Sequence, residues 1–251
     1  MKKSLFFIVA SLLLLSQNVK AQSDNGYFNH LAAGISLGTD GIGFDLAAPI
    51  GDYVQVRAGL SFFPKISYDK DVDVEKSKTI ITDKVNVEGK LNMTDFKLLF
   101  DVFPIKNSSF HLTAGAFIGK EKLITAKNTE PFLNPIDYGT AGIKIGDYFV
   151  ASDDKGDVHA HVKVNSFKPY LGLGFGRAVP GKHRFGVSFD AGVQFWGTPG
   201  VYTKGTDEFG NETETKVTSK DVDGDDDGIL DAVSKLSVWP TLTLRFCGRI
   251  L

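Results

Sequence analysis

Repeated period-two alternation, an asymmetry in link lengths and an export-type start together predict an all-β chain. The fold expected is a closed antiparallel eight-stranded transmembrane β-barrel with long loops at one end. The stretch RFGVSFDAGVQFW at 184–196 shows the pattern most plainly. Phe185, Val187, Phe189, Ala191, Val193 and Phe195 share one face, and Gly186, Ser188, Asp190, Gly192 and Gln194 share the other. Successive strand residues point to opposite faces, so one face is bulky and apolar and the other is small.

In chain order the first segment is not a strand. Lys2 and Lys3 precede an apolar run over 5–15, and polar residues then lead to Val19-Lys20-Ala21. This is the layout of a secretory signal peptide, 1–21, cleaved after Ala21 and leaving 22–251 as the barrel. The apolar run falls short of the roughly 20 residues a spanning helix needs. The lone Cys247 rules out an internal disulfide framework. A net charge of −2 lacks the basic footprint of a nucleic-acid binder.

The alternating segments follow at 30–38, 41–50, 54–62, 96–103, 110–119, 167–176, 184–196 and 240–250. In the first, Leu31, Ala33, Ile35 and Leu37 oppose Ala32, Gly34 and Ser36; in the third, Val54, Val56, Ala58, Leu60 and Phe62 oppose Gln55, Arg57, Gly59 and Ser61. The links at 51–52, 104–109 and 177–182 are short, whereas those at 67–88, 125–164 and 203–235 are long, polar and charged. The long links therefore all leave from one end, the pattern of a membrane barrel. A soluble ligand-binding barrel would turn its large apolar residues inward and its charges outward. At eight strands the interior holds side chains only, so a face of Gly, Ala and Ser suits it and a row of Phe does not. Lipid is the solvent that wants the Phe and Val rows.

Charges on the small face appear singly. Asp45, Arg57, Asp101, Asp190 and Arg245 are expected in one layer of the lumen, with Lys97 and Lys168 somewhat higher. An isolated buried charge is costly, so opposite charges there are expected to pair and plug the lumen, with Arg245 as the partner of Asp190. Bland placement of each charge in lumen water is the competing expectation.

At PYLGLGFG (169–176), FGVSFDAGVQFWGTPGV (185–201) and WPTLTLRF (239–246) the chain resembles small outer-membrane β-barrel proteins of Gram-negative bacteria. It is similar to a group that pairs a Pro-Tyr-Leu-Gly-Leu-Gly strand with a Phe-Asp-x-Gly-Val-x-Phe strand. The resemblance covers essentially the whole mature chain and implies an eight-stranded barrel with both termini in the periplasm. It implies no activity. The partners it carries are the outer-membrane bilayer and the outer-membrane assembly machinery.

Other motifs carry weaker chemistry. Gly172, Gly174 and Gly176 are spaced GxGxG without a following helix and read as lumen-facing strand glycines, not a nucleotide loop. His159 and His161 share a face if extended, with Asp157 beside them, which permits a metal site but equally a solvated loop. Asp223, Asp225 and Asp227, then Gly228, match the opening of a calcium loop. The twelfth position is Ser234 rather than Glu, so the expectation is a shorter calcium turn closed by Asp231, or a solvated acidic loop running into a short helix at 229–236. No strand carries a His, Ser and acid set on its outer face, and His111 faces inward by parity. The expected function is a non-enzymatic outer-membrane barrel whose outer loops bind or shield at the cell surface, with no cofactor beyond the calcium candidate. A narrow solute channel and a lipid-modifying enzyme are the alternatives.

Overall fold

The computed structural model describes residues 28–76, 79–106, 108–120, 122–130, 141–145, 148–153, 155–181, 183–206, 212–217 and 237–251. Eight strands close the barrel: β1 (Ala32–Gly38), β2 (Gly41–Pro49), β3 (Val54–Phe62), β6 (Thr94–Val102), β7 (Phe110–Gly119), β12 (Phe167–Phe175), β13 (Phe185–Phe195) and β16 (Val238–Arg249). Each pairs antiparallel with its neighbours in chain order, and β1 closes on β16 through Ala32 opposite Arg249 and Gly38 opposite Thr243. A closed sheet leaves no unpaired edge. The protein is all-β with a closed antiparallel eight-stranded barrel.

Alternation sorts the side chains. Phe44, Leu171, Phe175, Val187 and Phe246 point outward and are exposed, whereas Asp45, Lys168, Asp190 and Arg245 point inward and are buried. The arrangement inverts that of a water-soluble core. The small face makes room for this inverted interior. A Cβ on Gly34 would strike the Arg245 guanidinium, and one on Gly174 would lie 2.6 Å from His111 Nε2.

The long links, expected as loops, carry strands of their own. These are β4 (Ile66–Lys76), β5 (Thr79–Leu91), β8 (Lys122–Asn128), β9 (Ala141–Ile145), β10 (Tyr148–Ala151), β11 (His159–Lys163), β14 (Gly200–Thr206) and β15 (Glu212–Val217). They form a second antiparallel sheet in the order β10-β9-β4-β5-β8-β11-β14-β15. Its central run, β4-β5-β8-β11-β14, repeats the barrel order β3-β6-β7-β12-β13, because each strand continues a barrel strand after a short break. Pro64, which has no N–H to donate, marks one break, and Gly197 at φ 74° with Pro199 marks another. The β1–β2 hairpin turns at Thr39-Asp40 without such an extension. The sheet therefore rises from only part of the rim.

Candidate functional site

The lumen carries a series of buried ionic groups. Arg57 Nη2 donates to Asp101 Oδ1 at 2.6 Å and to Asp190 Oδ1 at 2.9 Å, while Nη1 reaches Asp190 Oδ2 at 3.2 Å. Thr113 Oγ1 donates to Asp101 at 2.8 Å, and His111 Nε2 lies 2.9 Å from Asp190 Oδ1. A second group centres on Arg245, whose Nε lies 2.9 Å and 3.0 Å from the two oxygens of Asp45. Lys97 Nζ joins it at 3.8 Å from Asp45 Oδ2 and donates to Ser36 Oγ at 3.1 Å. A third pair joins Lys168 Nζ to Asp95 Oδ1 at 2.6 Å.

Arg57, Lys97, Lys168 and Arg245 thus meet Asp45, Asp95, Asp101 and Asp190, and formal charge balances among these residues. The grouping differs from the sequence expectation in one respect: Asp190 is held by Arg57 and His111, not by Arg245. Strand parity assigns a face but not which side chains meet across the lumen, so the partner was not readable. Asp95 and His111 were missed as members of these groups. Their signal was available, since both are inward by alternation. An apolar layer of Leu99, Phe117 and Tyr170 also lies inside, with the Phe117 and Tyr170 rings 5.5 Å apart edge to face.

Both mouths are covered as well. At the end bearing the second sheet, Met93, Val164 and Trp196 pack with Phe63, Leu91 and Trp239. The two indoles stack with centroids 4.7 Å apart, and Trp196 Nε1 donates to Gln194 Oε1 at 3.1 Å. At the other end the β12–β13 link folds back under the barrel. Val179 N donates to Gln55 Oε1 at 3.0 Å, and Arg245 Nη1 donates to Ala178 O at 3.0 Å. Ala178 and Val179 bury against Ala32 and Ala47.

The second sheet holds its own ionic cluster. His161, expected in a solvated loop, is buried in β11, because Tyr202 on β14 stacks over its ring at 5.8 Å. Glu214 Oε1 lies 2.6 Å from His161 Nε2 and 3.4 Å from Lys122 Nζ, and Lys163 donates to Glu214 Oε2. Burial, then the nearby Lys122 ammonium, pushes His161 below the usual imidazole range. The Lys163 hydrogen bond above all draws Glu214 down to about 2.

Of these two histidines, only His159 meets a metal-type donor set among the described residues. Its ligand atom and those of Asp153 and Asp157 lie within 4.8 Å of one another. Lys127 Nζ already stands 2.8 Å from Asp157 Oδ2 and supplies positive charge there. Asp223, Asp225, Asp227 and Asp231, with the short helix expected at 229–236, lie outside the described residues, as does 1–21, expected as a signal peptide.

No family model matches the chain, and no curated protein matches it. Solved structures do. The chain is similar to Acinetobacter baumannii CarO2 at 16% identity and a TM-score of 0.50, covering 90% of this chain and 100% of that one. It is also similar to Acinetobacter baumannii CarO at 18% identity and a TM-score of 0.48, covering 86% and 96%. A major outer membrane protein from Thermus thermophilus aligns at 16% identity and a TM-score of 0.43, covering 88% and 98%. At these identities the likeness is one of fold.

Proposed function

We propose that this protein is a non-enzymatic, non-conducting integral outer-membrane barrel whose second sheet stands at the cell surface, where it binds or shields. Residues 1–21 direct export and are cleaved after Ala21, and the outer-membrane assembly machinery inserts 22–251. The observation that carries this reading is the inverted distribution of side chains. Phe and Leu rows face outward while Arg57, Arg245 and their carboxylates sit inside at 5% side-chain exposure or less. Only an apolar solvent makes that arrangement favourable.

The paired buried charges across the lumen support scaffold over channel. A permeating ion would have to separate at least one buried pair, and breaking a buried pair is costly. The stacked indoles and the inturned Ala178-Val179 segment close the two mouths on either side of the charges.

Two measurements test the reading. Thr215→Cys on the second sheet should react with an impermeant maleimide on intact cells, and Ile105→Cys in the β6–β7 link should not. The opposite pattern would invert the orientation. In planar bilayers the full-length barrel should pass no steady current, and stable unitary steps would replace the scaffold with a channel.

A further inference from the structure

A polar cavity of about 450 Å³ opens on the outer face where the second sheet leaves the barrel, lined by Lys163, Asn165, Ser166, Phe167, Thr198 and Tyr202. Phe167 also belongs to the apolar belt: it is 56% exposed and pairs with outward Ile118 on β7. One wall of the cavity is therefore at belt level and apolar, and the rest is built of ammonium, amide, hydroxyl and phenol groups.

Strand register gathers these groups. Tyr202 stands opposite His161 on one side and Lys216 on the other, and directly opposed strand residues share a face. Lys163 stands opposite Gly200 and Lys122. Gly200 leaves a gap into which the Tyr202 ring and the Lys216 chain lean; a Cβ there would lie 2.9 Å from Tyr202 Cε2 and 3.1 Å from Lys216 Cε. Lys163 Nζ sits 4.7 Å from the centroid of the Tyr202 ring. Lys163 thus lines the cavity beside the ring, and register sets Lys216 opposite Tyr202 and Lys122 opposite Lys163 on the same face at its edge. Glu214, within reach of Lys122 and Lys163, tempers their charge without matching that of all three lysines.

We propose that this cavity binds the phosphorylated saccharide head group of a glycolipid in the leaflet at this end of the barrel. The proposal rests on the membrane reading above. The lysines meet phosphate, and the Tyr202 hydroxyl with Asn165, Ser166 and Thr198 bonds the sugar hydroxyls. Acyl chains lie along Phe167, Ile118 and Phe195, all outward and exposed. Glu214 holds the lysines in position and weakens the anion site. A lysine near an anionic lipid surface contributes about fivefold in binding, so the cluster suffices to retain one lipid among many neighbours.

The test uses full-length protein in phosphatidylcholine nanodiscs carrying a minor fraction of bisphosphorylated lipid A, read by native mass spectrometry. One glycolipid should stay bound. The Lys122→Gln/Lys216→Gln variant should lower its retention by about 25-fold, two lysines at about fivefold each. Enzymatically dephosphorylated lipid A should drop comparably. Glu214→Gln, which keeps every lysine, should raise retention, so a loss of signal through misfolding cannot imitate the whole pattern. Unchanged retention in the double variant, or equal retention of the dephosphorylated lipid, overturns the proposal. Inorganic phosphate binding as tightly as the glycolipid assigns the site to a soluble anion and overturns the head-group assignment. A barrel that inserts and stays closed but retains no glycolipid sinks this inference alone, whereas failure to insert sinks the membrane reading beneath it.

Discussion

The lumen and the second sheet both join carboxylates to cations, but in opposite surroundings. In the lumen the Arg57 and Asp101 side chains are 5% and 1% exposed; Lys127 on β8 and Asp157 in the link before β11 are 51% and 19% exposed. A partner lost from the first pair leaves a charge with nothing to replace it, while one lost from the second is replaced by water. The two regions thus use the same chemistry for different ends. Lumen pairs fix which strands face one another across the barrel, because Arg57 on β3 reaches β6 and β13 at once. Exposed pairs beside the second sheet can be exchanged for water at small cost.

The sharpest way to break this contrast is to remove Arg57. Arg57→Met leaves Asp101 and Asp190 buried without their guanidinium and should cost about 3–5 kcal/mol, read by urea unfolding in lipid vesicles with Trp196 and Trp239 fluorescence as the probe. Asp190→Ala should cost about 3 kcal/mol, and the double variant less than the sum of the two singles. Additive losses would mean that the charges act singly, and the lumen would then resemble the second sheet after all.

An effect no larger than that of Asp190→Ala is expected at the covered mouth. Trp196 is 2% exposed and stacks on Trp239, so Trp196→Ala should cost about 3 kcal/mol, the low end for losing a large buried aromatic because the site lies at the rim. The charge groups below remain, and the variant should still pass no steady current in a planar bilayer. Current in Trp196→Ala would make the indole pair the true seal and reduce the buried charges to a structural role.

Much of the barrel was legible because period two reports directly on which face a side chain takes. Phe189 outward and Asp190 inward needed only parity, and the eight segments fell in their chain order. Two things were not legible. Partner choice inside the lumen depends on strand tilt and on how far an arginine reaches, and so Arg57 rather than Arg245 holds Asp190. The second sheet was hidden by composition. High charge made segments such as VDVEK at 72–76 and DKVNVEGK at 83–90 read as polar links, although Val72-Asp73-Val74-Glu75 and Val85-Asn86-Val87-Glu88 carried the alternation. His161 shows the consequence most clearly, since its burial comes from a ring on a strand that polar composition had concealed.

Acidification should separate the two regions by the least energy but with the clearest locality. His161 is held below its ordinary value of 6.5 by burial first and Lys122 second. The unfolded chain therefore takes up a proton before the folded one, and stability falls as pH drops from 6.5 toward the lowered value. Glu214 acts in the same direction lower down. Its folded value of about 2 against an ordinary 4.5 gives stability that is complete above 4.5 and lost as pH falls through about 2. Both groups lie on the joined strands β11, β14 and β15, so hydrogen exchange corrected for intrinsic rates should show these amides losing protection between about pH 7 and about pH 3. His161→Gln should remove the upper part of the loss and Glu214→Gln the lower part. Barrel amides in the same sample report global opening and should keep their protection across the range, since closure of the sheet couples each strand to two neighbours. Protection of β11 and β14 that stays flat to about pH 3 would mean that the His161–Glu214–Lys163 cluster does not hold the second sheet together.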